Sequence, residues 1–236
     1  MFTMDGRIRF SEVGPDGRLS MHQLLNYFQD TSTFHLADHK IGLPGTGMPR
    51  EGLAFFMVSW QIHILRLPSL GEEIRTSTLM YEGKGAFGHR NYTMYDKAGQ
   101  CLAYANMNGC FIDTNTLMPV KLTPAEREIY HLEDRIDMEY LPRRIAHPPL
   151  LKLWDGVEVM TRHLDENNHV NNAEYLAMAL SYLPEGLNPQ LIRAEYKAAA
   201  KLGDCLIPKS AVDEAGTFYL GFFSKEGAPF ANFSFS

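Results

Sequence analysis

One order of elements is written twice in this chain, and nothing else in the sequence restricts the fold as much. Near the start, residues 7–13 (Arg-Ile-Arg-Phe-Ser-Glu-Val) alternate as a strand does, Gly14-Pro-Asp-Gly has turn chemistry, and a helix follows. Ser20 with Gln23 reads as a capping box, and Met21, Leu24, Leu25 and Phe28 keep helical spacing. Gly42 closes the helix, with His39 and Lys40 in its last turn. In the second half residues 156–162 alternate, 165–168 form a polar loop, and a helix is expected over roughly 171–183. Setting Ser20 on Asn171 brings Leu25 onto Leu176, an offset of 151. Further on, Leu65-Arg-Leu-Pro-Ser-Leu-Gly-Glu stands against Lys197-Ala-Ala-Ala-Lys-Leu-Gly-Asp at an offset of 132. The difference of 19 residues is accounted for by a Gly/Pro-rich insertion at 42–52, and hairpin turns are expected at both 96–99 and 224–227.

Each copy therefore reads as strand, helix, then long strands joined by hairpins, including 73–81, 89–95 and 102–112. The second helix carries Leu176, Met178, Ala179, Leu180 and Leu183 and has little polar face, which suits a helix wrapped by a sheet. The expected class is α+β, a tandem repeat in which each antiparallel sheet wraps one long helix. The expected parts are an N-terminal unit over 1–120, a crossover linker over 121–152 and a C-terminal unit over 153–236. The linker holds one short helix, capped by Thr123 with Pro124 first and Glu126 completing the box.

Composition narrows the function. The chain is 45% hydrophobic with a formal charge of −6, which argues against nucleic acid as a partner. No apolar run approaches the roughly 18 residues of a membrane span. Residues 1–20 carry Asp5, Glu12 and Asp16 rather than a secretion signal, so a cytoplasmic protein is expected. Three cysteines without a Cys-x-x-Cys pair argue against a disulfide scaffold, a zinc ribbon or a thiol redox motif. His35 and His39, four apart on the first helix, lack a third ligand, so no metal is expected.

The most informative stretch is Asp165-Glu-Asn-Asn-His-Val-Asn-Asn172, just before the second helix. Asp165, Asn167 and His169 alternate where a helix presents free N–H groups and its positive dipole end. The amides of Val170 and Asn171 could hold an oxyanion there while a carboxylate or imidazole moves a proton. Turn formation and helix capping would also use Asp and Asn here, but the loop has more polar groups than a cap needs. The first copy has lost them, with Gly14 opposite Asp165 and Arg18 opposite His169.

With Tyr175 ten residues after Asp165, this stretch resembles the active-site signature of acyl–acyl carrier protein thioesterases. Residues 24–31 (Leu-Leu-Asn-Tyr-Phe-Gln-Asp-Thr) are similar to the long helix of their N-terminal half, and the likeness runs from Arg7 to Phe235. The resemblance implies two fused hot-dog folds, hydrolysis of fatty acyl–carrier thioesters, and no metal or organic cofactor. It implies catalytic roles for Asp165, Asn167 and His169. An acyl pocket in the first unit would use Phe28, Phe55 and Met57, and Lys197 and Lys201 would meet a phosphopantetheine arm. Acyl carrier protein is the expected partner, and a homodimer is left open. Where the plant enzymes have a Glu-Cys pair, this chain has Ala199 and Ala200. Two other readings stay open, an acyl-coenzyme A thioesterase and a non-catalytic acyl-binding protein.

Overall fold

In the computed structural model, which describes residues 1–38, 41–44 and 46–236, the chain forms two compact units. They are Met1–Val58 with Ile64–Leu141, and Ser59–His63 with Pro142–Ser236. The stretch expected as a separate linker is therefore divided, 121–141 going with the first unit and 142–152 with the second.

The first unit contains β1 (Phe2–Arg7), α1 (Met21–Asp38), most of β2 (Leu53–Ile64), β3 (Glu73–Lys84), β4 (Phe87–Asp96), β5 (Cys101–Asp113) and the short α2 (Pro124–Glu128). Strands β1, β3, β4 and β5 pair antiparallel in that order. Helix α1 buries Leu24, Leu25 and Phe28 completely. Its Phe28 ring lies 5.4 Å from that of Tyr92 on β4, and Thr31 is hydrogen-bonded to Thr76 on β3 at 2.7 Å. Helix α2 carries the cap read from the sequence: Thr123 Oγ1 accepts the Glu126 N–H and the Glu126 carboxylate accepts the Thr123 N–H.

The second unit contains β6 (Lys152–Leu153), β7 (Val157–Glu158), α3 (Asn172–Leu180), β8 (Leu191–Tyr196), β9 (Cys205–Val212), β10 (Phe218–Phe223) and β11 (Pro229–Phe235). The antiparallel order is β8, β11, β10, β9, with β6 and β7 both on β9, while Ser59–His63 of β2 pairs with β8. Tyr175 of α3 packs against Tyr196 and Phe222, with ring centroids 5.9 and 6.1 Å apart.

The repeat holds down to single backbone bonds. Ile8 N–H meets Glu72 O as Val159 N–H meets Asp204 O. Gly71 N–H meets Ile8 O as Gly203 N–H meets Val159 O, and Leu19 N–H meets Pro68 O as Val170 N–H meets Ala200 O. Every pair is related by the offsets 151 and 132. The outer sheet faces carry polar residues because the crossover chain lies on them. In the first unit Asn91 Oδ1 accepts the Ile136 N–H and the Tyr140 hydroxyl; in the second Arg193 donates to the carbonyls of Pro142 and Arg144.

Two local expectations change. Residues 7–13 and 156–162 are not continuous strands: each is broken by a 3-10 turn, Phe10–Glu12 and Thr161–His163. The turn swings Phe10 outward while Ile8 stays buried, so their alternation did not mark one buried face. The Ser20–Gln23 box is not formed: Ser20 Oγ donates to Glu12 O, and Gln23 bonds Asn26 and His22. The last turn assigned to His39 and Lys40 lies outside the described residues.

Glu72, at the turn that anchors the first unit, accepts two guanidinium N–H groups of Arg66 and the Ser69 N–H. The Arg66 bonds hold its carboxyl below the usual 4.5. A depressed folded-state pKa contributes stability above the unfolded value that is lost as pH falls through the folded one. Glu72→Gln should therefore flatten the loss of stability below about pH 4.5 in denaturant titrations, and an unchanged acid limb would refute this.

Candidate active site

The loop before α3 is held by its own backbone. Asp165 N–H donates to His169 O at 2.8 Å, Asn168 N–H donates to Asp165 O at 3.0 Å, and Leu164 bridges Val170. Asn168 sits at φ +58°, left-handed backbone that asparagine tolerates, where the first copy has Gly17 at +72°. Asp165 Oδ1 accepts the N–H groups of Asn167 at 2.8 Å and His169 at 3.3 Å. The carboxylate is thus fixed by one oxygen. Among the described residues nothing engages Asp165 Oδ2, the Asn167 carboxamide or the His169 ring. Asp165 and His169 are half-buried and Asn167 is exposed.

The two amides expected to form an oxyanion hole are already in use. Val170 N–H donates to Ala200 O at 3.0 Å and Asn171 N–H to His163 O at 2.9 Å. The reason is the repeated frame: their counterparts Leu19 and Ser20 make the matching bonds to Pro68 O and Glu12 O. Asn171 itself caps α3, its Oδ1 accepting the Ala173 N–H at 2.8 Å. Asn172 is the first residue of α3 whose amide has no partner among the described residues.

Behind the loop, the buried Tyr175 Oη accepts the Ala200 N–H at 3.0 Å, and burial pushes its pKa up to about 12, so it stays protonated. The alanine run supplies no carboxylate: Ala199 is exposed and Ala200 buried. Glu195 is 4% exposed and accepts the Ile145 N–H at 3.3 Å and the Lys197 ammonium. Lys197 is therefore committed to an ion pair, leaving Lys201 as the exposed lysine of the two without a side-chain partner among the described residues. In the first unit Phe28 is fully buried, and Phe55 and Met57 are half-buried.

Sequence reasoning missed two groups. His163 is buried and its Nδ1 accepts the Met160 N–H at 3.0 Å, which puts the ring proton on Nε2; burial lowers its pKa below 6.5. Arg90 is buried inside the first unit and bonds His35 Nδ1 and Thr78 Oγ1, with no carboxylate in reach among the described residues. No sequence pattern separates these from ordinary surface residues, because their partners lie 12 and 55 residues away for Arg90 and only a turn away for His163.

Tyr175→Phe removes the acceptor of a buried N–H and should cost about 1–3 kcal/mol in denaturant unfolding. His163 should titrate below 6.5 in an NMR pH series. Because its folded-state pKa is depressed, the neutral ring contributes stability above 6.5 that is lost as pH falls. A His163 titrating at or above 6.5 would contradict its buried, neutral placement.

Comparison with known proteins gives concordant results. The family model described as the acyl-ACP thioesterase N-terminal domain matches residues 1–130. A chloroplastic palmitoyl-acyl carrier protein thioesterase of Cuphea hookeriana is 22% identical, over 93% of this chain and 56% of its own length. The chain thus spans little more than half the length of such curated relatives. The crystal structure of an acyl-ACP thioesterase from Bacteroides thetaiotaomicron superposes with a TM-score of 0.88 at 20% identity, covering 99% of this chain and 96% of that one. The 12:0-ACP thioesterase from Umbellularia californica gives 0.86 at 18% identity, covering 100% and 96%. The fold is the tandem hot-dog fold of these proteins, and this chain belongs to the acyl-ACP thioesterase family.

Proposed function

We propose that the protein hydrolyses fatty acyl–acyl carrier protein thioesters, with the acyl chain in the first unit and the chemistry at the 165–169 loop of the second. The observation that carries this reading is the Asp165 carboxylate, oriented through Oδ1 by two loop amides and open at Oδ2, beside an unengaged carboxamide and imidazole. In this scheme Asp165 Oδ2 takes a proton from water as its oxygen attacks the thioester carbonyl. Asn167 or His169, with the free Asn172 amide, supplies hydrogen bonds to the developing oxyanion in place of Val170 and Asn171. Collapse breaks the C–S bond, the proton passes to the sulfur, and a fatty acid and the carrier thiol leave. Lys201 is the lysine available to a phosphopantetheine phosphate.

Asp165→Asn keeps an acceptor for both loop amides while losing the base. It should lower kcat at least about 100-fold with an unchanged unfolding midpoint; full activity would refute the assignment. Parallel assays with acyl-carrier and acyl-coenzyme A substrates separate the two thioesterase readings. Inactivity of the unmodified protein on every acyl thioester would leave acyl binding alone.

A further inference from the structure

At one position of the repeat, two different side chains do the same backbone task. Glu12 and His163 stand at the offset of 151, each as the last residue of the 3-10 turn that leads into the loop of its unit. Glu12 Oε2 accepts the Arg9 N–H at 2.8 Å, and His163 Nδ1 accepts the Met160 N–H at 3.0 Å. The main chain repeats as well. Glu12 and His163 give their own N–H groups to Arg9 O and Met160 O, and their carbonyls accept the N–H groups of Ser20 and Asn171.

The two side chains differ at their far ends. Glu12 Oε2 also accepts the Tyr27 hydroxyl at 2.8 Å, so α1 holds the carboxylate from the other side. At the same offset Tyr27 answers to Met178, which offers no hydroxyl, and nothing among the described residues bonds His163 Nε2. The imidazole is therefore 5% exposed yet tied at one nitrogen only. Two charged groups act on it: Arg162 of its own turn disfavours the imidazolium, and Glu174 in the first turn of α3 favours it. Burial outweighs both and keeps the ring neutral at neutral pH.

His163 is joined to the 165–169 loop on both sides. Leu164, the next residue, gives its N–H to Thr161 O in the same turn and bridges Val170 at the neck of the loop. Asn171, whose N–H the His163 carbonyl accepts, caps α3. Resting on the hydrolase reading, we propose that His163 is a positioning residue for the reaction: its neutral imidazole holds the 3-10 turn, the turn holds the neck of the loop, and the neck keeps Asp165 Oδ2 in place. Protonation puts a hydrogen on Nδ1, so the Met160 N–H faces a donor instead of an acceptor and their bond is lost. The turn then loosens and the Asp165 carboxylate loses its setting. Catalysis falls as pH drops through the His163 pKa, although His163 touches neither water nor thioester.

The test is kcat against pH on an acyl–carrier thioester for the full-length protein and for His163→Glu, which borrows the side chain of the first unit. In parallel, NMR of the unmodified protein follows the His163 ring and the amides of Met160, Leu164 and Asn171. The acid limb of kcat should coincide with the ring titration, and the three amides should shift and lose exchange protection through the same midpoint. His163→Glu should keep kcat on the alkaline plateau and move the acid limb down by about one pH unit or more. His163→Gln, an acceptor that does not titrate, serves if the glutamate variant does not fold, with a shift of the same sign. An acid limb unmoved by the substitution overturns the proposal and leaves the hydrolase reading standing. So do amides that stay fixed while the His163 ring titrates. A protein that turns over no thioester refutes the hydrolase reading; the amides alone then decide, upholding the hold of His163 on the loop if they follow the ring and overturning it if they do not.

Discussion

The two longer helices, α1 and α3, each start from a backbone knot: a residue just before the helix gives its N–H to a turn that leads into the next strand of its unit. In the second unit Val170 N–H is held by Ala200 O, Gly203 N–H by Val159 O and Val159 N–H by Asp204 O. A buried, unpaired amide is expensive, so these bonds leave the loop between Leu164 and Val170 little freedom in where it lies. The first unit ties the same knot with Leu19, Pro68, Gly71, Ile8 and Glu72. One set of main-chain bonds thus presents two loops, one with Asp165, Asn167 and His169 and one with Gly14, Asp16 and Arg18. The frame is common to both copies, and the side chains hung on it carry the difference. The knot also explains why Val170 and Asn171 cannot serve an oxyanion without breaking what positions Asp165.

Much of this frame was legible in the sequence because it is local and written twice. The offsets 151 and 132 recover the knots bond by bond, and Asn171, Thr123 and the hairpins at 96–99 and 224–227 fall where turn and cap chemistry put them. The polar loop was legible too, since its groups interact within five residues. Hidden were features whose partners are distant in the chain. Nothing near Glu195 in sequence tells that the Ile145 N–H, 50 residues away on the crossover chain, is donated to its carboxylate. Nothing near Arg90 tells that His35 receives it. The alternation at Ile8 and Phe10 misled because a strand pattern of two apolar residues is also met by a strand end followed by a 3-10 turn.

Duplication lets the two units differ in what they bury. In the first unit the face of the sheet that meets α1 mixes apolar residues with Thr76, Thr78 and Arg90. A guanidinium does not give up its charge, so Arg90 lies inside only because neutral acceptors, Thr78 Oγ1 and His35 Nδ1, take its hydrogen bonds. His35 must then be neutral at Nδ1. The first unit also has an apolar cluster around Phe111 and Tyr130, which takes Ile41 and Met48 from the insertion, Leu122 from the crossover chain and Met80 from β3.

With alanines at 199 and 200, the proposed hydrolase reading gives the proton to Asp165. Glu195 cannot take that part: its oxygens are engaged by Ile145 and Lys197. Asp165 meets the geometric demand on a base only at Oδ2, because Oδ1 already accepts two amides. Turning the carboxylate to offer Oδ1 would strip both bonds from the loop. On that proposed reading the nucleophilic water would have to approach on the Oδ2 side. No side-chain bond links Asp165 to His169; they meet only through the His169 amide, so a relay in which the carboxylate orients the imidazole is not built into this loop. On the proposed hydrolase reading the two groups would act separately, Asp165 on the water and His169 or Asn167 on the carbonyl oxygen, and the repeated knot is what keeps them on one short turn.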